Sequence, residues 1–155
     1  STEINLISEG ELKSSRSYNI GTVRMLSGMV KNEEKEQMHT DLEVLAKEYA
    51  PIHIIGSGGN INKLFRLADK KDKKQLFLPL ASLQDIYRTL KDLPKEQRIK
   101  LFKLKPDRAD VIVPAAEIFM EVATRVQANG IIVPTIGLSD GIIDSLYTKN
   151  RQWMQ

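Results

Sequence analysis

The chain has 155 residues, of which 41% are hydrophobic and 28% charged, at a net charge of +3: the size and balance of one ordinary domain with a real core. With no cysteine it has neither disulfides nor thiolate metal sites, which agrees with a cytoplasmic setting, and no apolar run reaches the 18 or so residues of a membrane span. So mild a charge, with four Phe, four Tyr and one Trp, is no footprint for nucleic acid, so neither a membrane nor a specific nucleic acid is expected as a partner.

Ile4 and Leu6 alternate with Glu3 and Asn5, the period of a half-buried strand. Ser8, Glu9, Gly10 and Glu11 then make a turn, and residues 12–20 return as a second strand, so a β-hairpin opens the chain. A domain that starts this abruptly inside a strand reads as a fragment. Residues 19–29 (NIGTVRMLSGM) read as a loop entering a short helix. From Asn32 onward Met38, Leu42, Leu45 and Tyr49 recur at helical spacing behind an acidic first turn. Pro51 stops that helix and hands over to an apolar strand, residues 52–55. Gly56, Ser57, Gly58 and Gly59 come next, and Ile61, Leu64, Phe65 and Ala68 form the apolar face of the next helix.

Residues 69–74 (DKKDKK) are a solvated loop by charge density, and residues 76–81 an apolar segment interrupted by Pro79. Ser82 with Asp85 resembles a capping box and is expected to open a helix whose Leu83, Ile86, Tyr87 and Leu90 face inward. Pro94 suits the first turn of a short helix through Phe102. The longest helix, residues 107–127, is apolar nearly all round, with only Asp110, Glu117, Glu121 and Arg125 as a polar stripe. Such a helix is buried between layers, and Pro114 is expected to kink it near its start. Asn129 and Gly130 are expected to cap it before a buried strand, residues 131–133. A second glycine turn, residues 137–141, leads to a final helix, residues 142–147. A hairpin followed by two strand–glycine loop–helix units indicates α/β layering: a mixed sheet flanked by helices.

The first of those units, residues 52–68, is the stretch with the most chemical promise. Its glycines let a ligand approach the backbone, and the helix after them presents N–H groups and a positive dipole end. The same residues also make an ordinary tight turn with no ligand. Ile61 stands where both G-x-x-x-x-G-K-[ST] and G-x-G-x-x-G need a glycine, so neither phosphate fingerprint is met. No G-x-S-x-G marks a serine nucleophile. His39 lies in a helix and His53 in a buried-looking strand, without the spacing of metal ligands. Glu117 and Glu121 read as a solvent stripe. Taken alone, these residues assign no reaction.

Their order, however, resembles a family. In the exopolyphosphatase / guanosine pentaphosphate phosphohydrolase (Ppx/GppA) family a second phosphate motif, D-x-G-G-G-S-T-E, runs into a hairpin. STEINLISEGEL resembles the end of that motif and the strand after it, with Ser1, Thr2 and Glu3 as the part of the motif that remains. IHIIGSGGNINKL resembles the family's second-domain glycine loop, and NIGTVRM its loop and helix after the hairpin. RADVIVPAAEIFMEVATRV and IIVPTIGLSDGIIDSLY resemble its long buried helix, strand and closing glycine turn. Order and spacing agree over nearly the whole chain.

The resemblance implies a ribonuclease-H-like domain of the actin/Hsp70/sugar-kinase superfamily, the second of two that enclose the active site in the cleft between them, truncated before its first strand. It implies a parent that releases terminal phosphate from inorganic polyphosphate or guanosine pentaphosphate, with Mg²⁺ and an attacking water, in the cytoplasm. Ser1, Thr2 and Glu3 with Gly56, Ser57, Gly58, Gly59 and Asn60 would be phosphate-binding. Arg24 and Arg108 are possible anion contacts, and each is equally well read as half of a structural ion pair. No catalytic residue or bound metal is expected here, because the water-activating and metal-holding groups belong to the missing first domain. The chain alone is therefore expected to be inactive. A missing first strand would leave an open edge beside residues 4–7, which invites the absent domain, a homodimer or a strand swap. Two other readings stay open: half of a sugar or acyl-phosphate kinase of the same superfamily, and a non-catalytic interaction domain.

Overall fold

In a computed structural model, the structure describes residues 1–134 and 136 and the backbone of residues 153–154. The strands are β1 (Thr2–Ser8), β2 (Glu11–Tyr18), β3 (His53–Ile55), β4 (Phe77–Pro79), β5 (Gly130–Ile132) and β6 (Trp153–Met154). The helices are α1 (Thr22–Leu26), α2 (Asn32–Tyr49), α3 (Gly59–Leu67), α4 (Leu80–Asp92), α5 (Lys95–Phe102) and α6 (Pro106–Arg125). The second glycine turn and final helix expected from the sequence lie outside the described residues.

β1 and β2 pair antiparallel, with Thr2 opposite Tyr18 and Ser8 opposite Glu11, and Glu9 and Gly10 turn the chain with positive φ. Period two puts Ile4, Leu6 and Ser8 of β1 inward, whereas β2 buries only Tyr18. The hydroxyl of Tyr18 donates to Asp41 on α2 at 2.7 Å, and Arg16 joins the same carboxylate at 3.2 Å. Burial, and then the bond to Asp41, hold the Tyr18 phenol well above its usual range. One buried hydrogen bond thus fastens the hairpin to the helical layer.

The sheet runs β2-β1-β6-β3-β5-β4. β3 and β5 are parallel, β4 is antiparallel at the far edge, and β6 lies parallel to β3 and antiparallel to β1. The sheet is mixed, as expected. The edge of β1 that was expected to be open is paired with β6 at Leu6 and Ile7. Trp153 and Met154, from the far end of the chain, supply that pairing, so nothing local in β1 announces it. Among the described residues, the earlier part of β1 pairs with β2 alone.

Helix α6 touches each of the other five helices. Ala109, Ile112, Ala116 and Ala123 on it have no exposed surface; small side chains let neighbouring backbones approach. Three local expectations are corrected. Ser82 does not open a helix: Pro79 caps α4 three residues earlier, and Ser82 is buried within the first turns with no cap bond. The cause is the fixed φ of Pro79, which turns β4 directly into α4, while Leu80 N–H donates to Asn129 O at 2.8 Å. Asn129 and Gly130 do not cap α6. Gln127 takes the left-handed conformation, and Gln127 and Ala128 N–H bond Thr124 and Ala123 O, closing a Schellman turn before either residue. Gly130 instead belongs to β5, where a Cβ would lie 2.3 Å from Leu78 O of β4. Finally, His53 is exposed at the start of β3, although Ile54 and Ile55, on opposite faces of the strand, are both buried.

Candidate phosphate-binding cleft

β3 delivers the chain into the glycine loop at the heart of the sheet. Gly56 N–H donates to Ile132 O of the neighbouring strand at 2.9 Å, so that group is spent on the sheet. A Cβ on Gly56 would meet Ile131 and Phe119 side chains at 2.9 Å each. Gly56 is therefore glycine for packing. Gly58 differs: its φ of 122° excludes ordinary side chains, and nothing lies within 4 Å of the Cβ position, so the backbone there is open to close approach.

Gly58 also precedes α3 as its cap residue, with no side-chain cap bond. The first helical bond runs from Asn62 N–H to Gly58 O at 3.1 Å. The N–H groups of Gly59, Asn60 and Ile61 consequently have no helical acceptor, and the positive end of the α3 dipole is uncapped.

These groups line a cleft of about 490 Å³ together with Ser1, with Thr2 and Glu3 from β1, with Gly21 and Thr22, and with Ala115, Ile118, Phe119 and Val122 of α6. The two stretches singled out from the sequence, residues 1–3 and 56–60, thus face one space. Within it, Ser1 Oγ donates to Glu3 Oε1 at 3.4 Å, and the Thr2 hydroxyl donates to Ile20 O. A Cβ on Gly21 would lie 2.9 Å from the Ser1 amino nitrogen, so Gly21 makes room for the start of β1. The cleft has an apolar floor, a rim of hydroxyls and unbonded amides, and one carboxylate.

The two arginines part company. Arg24 is exposed on α1 and lies outside the cleft lining. Arg108, half-buried in the first turn of α6, is also outside the lining, but its Nη1 donates to Asn60 Oδ1. Neither joins an ion pair among the described residues. The α6 floor and the link from Arg108 to Asn60 were not foreseen. The near all-round apolarity of α6 was the signal for the first; no sequence signal pointed to the second.

Magnesium is the cofactor that the resemblance implies. Among the described residues Glu3 is the only carboxylate lining the cleft, and it is engaged by Ser1. Among the described residues no three acids or histidines gather as metal ligands. The residues present do not by themselves fit a divalent cation.

A larger cavity, about 580 Å³, lies between α2, α4 and α6. It takes in two acids of the polar stripe of α6: Glu121, exposed as expected, and Glu117, half-buried. Glu117 accepts from the Tyr87 hydroxyl at 2.9 Å, and Glu121 pairs with His39 at 3.0 Å and with Arg125 at 3.4 Å. Burial, and then the bond to Glu117, raise the Tyr87 phenol above its usual range. Its carboxylates already have partners, and among the described residues the donors it leaves unspent include the side chains of Lys35 and Gln84.

No helix among the described residues is long and apolar enough to cross a membrane. A family model described as the Ppx/GppA phosphatase family matches residues 1–150. No curated protein matches the chain. Among solved structures it is similar to the type II variant of the Aquifex aeolicus Ppx/GppA phosphatase, at 22% identity and a TM-score of 0.59, covering 84% of this chain and 48% of that one. It is similar also to an exopolyphosphatase from Cytophaga hutchinsonii, at 19% identity and a TM-score of 0.64, covering 90% of this chain and 54% of that one. At such identities the likeness is one of fold: a mixed sheet flanked by helices, of the actin-like, ribonuclease-H-like kind. The chain spans about half the length of these structures.

Proposed function

The chain belongs to the Ppx/GppA phosphatase family, and from that premise we propose that it is the second ribonuclease-H-like domain of an exopolyphosphatase-like phosphohydrolase, supplying one wall of its phosphate cleft. The observation that carries this reading is the meeting of Ser1, Thr2 and Glu3 with the unbonded first turn of α3 across one cavity. A phosphorylated chain end would accept hydrogen bonds from the Gly59 and Asn60 N–H groups, and from the Ser1 hydroxyl once it turns from Glu3 to the anion. The bare N-terminus of α3 is positive, and an anion in the cleft answers it.

The parent's substrate would be inorganic polyphosphate or guanosine pentaphosphate. A water oxygen would bond to the terminal phosphorus as the bridging P–O bond breaks and inorganic phosphate leaves. This wall would contribute positioning and charge stabilisation. The activating base and the Mg²⁺ ligands would come from the other half, because the donors here do not suffice. We place the parent in the cytoplasm, in keeping with the absence of cysteine from these 155 residues. Its partner would be its own first domain, and a homodimer or strand exchange through the earlier part of β1 remains part of the reading.

The test is phosphate release from purified polyphosphate by the 155-residue chain. The chain alone should release none, whereas a polypeptide that also carries the preceding half should turn over. Release by the chain alone would overturn the division of labour. Calorimetric titrations should show inorganic tripolyphosphate held in preference to ATP; the reverse preference favours a kinase half.

A further inference from the structure

The first turn of α3 is braced by one side chain that never enters the cleft lining. A Cβ placed on Gly59 would lie 2.3 Å from Arg108 Nη2, 2.9 Å from its Cζ and 3.0 Å from its Nη1. The planar guanidinium therefore occupies the space where Gly59 would carry a side chain. Gly59 has no positive φ and begins a helix, so its backbone accepts alanine. The room it leaves is what the fold uses. From that position Arg108 Nη1 donates to Asn60 Oδ1, the next residue along. The base of Arg108 is itself fixed, in the first turn of α6 behind Pro106 and beside the fully buried Ala109 and Ile112. No carboxylate among the described residues competes for it.

We propose that Arg108 is a positioning residue: its guanidinium, seated over Gly59 and bonded to Asn60, fixes the direction in which the first N–H groups of α3 face the cleft, with Gly59 kept small to admit it. Gly59, Asn60 and Arg108 then act as one unit. The proposal rests on the phosphate-cleft reading, but its mechanical part does not need a ligand. Alanine at Gly59 displaces only the flexible end of Arg108, so the domain stays folded while the clamp opens. An arginine that instead touched the anion directly would behave differently, because Gly59 and Asn60 would then matter independently of it.

Amide hydrogen exchange on the 155-residue chain separates these cases, read at Asn62, whose N–H makes the first bond of α3 to Gly58 O. Arg108→Met and Gly59→Ala should each speed exchange at Asn62 by about tenfold. The double variant should go no further than either single one, and protection within α6 should be unchanged. Arg108→Lys, which keeps a cationic donor for Asn60, should recover much of the loss. Helix propensity alone makes alanine a better helix former than glycine and slows exchange. A slowed Gly59→Ala, additive effects, or an unresponsive Arg108→Met would each overturn the clamp. In parallel, inorganic tripolyphosphate should bind every open-clamp variant more weakly than the parent chain and to the same degree. A larger loss for Arg108→Met than for Gly59→Ala would make Arg108 a direct anion contact and overturn the positioning role. No tripolyphosphate binding by the parent chain would overturn the phosphate reading instead, with the exchange arm still deciding the clamp.

Discussion

Helix α6 lends residues to two cavities, and the two are built on opposite plans. The cleft beside β1 and α3 is the smaller, about 490 Å³ against about 580 Å³. It offers amides without acceptors and a helix end without a cap. The cavity between α2, α4 and α6 offers carboxylates whose bonds are already made, Tyr87 on Glu117 and His39 and Arg125 on Glu121, beside the free donors of Lys35 and Gln84. Backbone groups at a helix start cannot turn to one another, so they stay available for a ligand, whereas carboxylates on flexible side chains find partners. Size alone favours the second cavity; the bare first turn of α3 is what recommends the cleft.

The comparison is most exposed at the two glycines that end β3. Gly56→Ala forces a methyl group against Ile131 and Phe119, and should cost about 3 kcal/mol in urea unfolding. A near-neutral result would mean that the cleft floor is loosely packed. Gly58→Ala meets no neighbour but must hold a φ of 122°. It should cost about 2 kcal/mol, purely from conformation, and should weaken tripolyphosphate binding as well.

Tyr18 tests the link between the two regions, since it ties the hairpin that carries Ser1, Thr2 and Glu3 to the helix that carries His39. Tyr18→Phe should cost about 1.5 kcal/mol, the worth of a hydrogen bond to a charged acceptor. The folded state holds the phenol proton more tightly than the unfolded chain, whose tyrosine titrates near 10.0. Its stabilisation is thus complete below that pH. It is lost as pH rises toward the raised folded value, by up to about 1.4 kcal/mol per pH unit. Unfolding measured across alkaline pH should show that decline, reduced in Tyr18→Phe.

In the second cavity, Tyr87→Phe should cost about 1 kcal/mol by leaving Glu117 without its donor, and should leave tripolyphosphate affinity unchanged. His39→Gln should move stability by less than about 0.5 kcal/mol, as expected for a half-exposed ion pair. A loss of anion binding in either variant would erase the distinction between the two cavities.

The features legible in the sequence alone were local. The alternation at Ile4 and Leu6, the helix stopped by Pro51, and the apolar girdle of α6 each belong to one element and carry their period with them. The errors arose where distant chain decides. Pro79 rather than Ser82 starts α4 because Leu80 is tied to Asn129, and Gly130 serves the approach of β4 to β5 rather than a helix end. The partner of β1 at Leu6 and Ile7 comes from β6, at the far end of the chain. In the cleft, residues 56–60 were identifiable from their glycines, yet each glycine has its own physical reason: packing at Gly56, conformation at Gly58, room for Arg108 at Gly59. The bond from Arg108 to Asn60 spans 48 positions and leaves no periodic trace.

The claim that the cleft is a phosphate-binding wall is tested most directly by titrating the isotopically labelled chain with inorganic tripolyphosphate and tracking its amide resonances. The account predicts saturable shifts concentrated at Thr2 and at Gly58, Gly59, Asn60 and Ile61, around the open end of α3. Shifts absent from these amides, or gathered instead around Lys35, His39 and Tyr87 in the larger cavity, would contradict it.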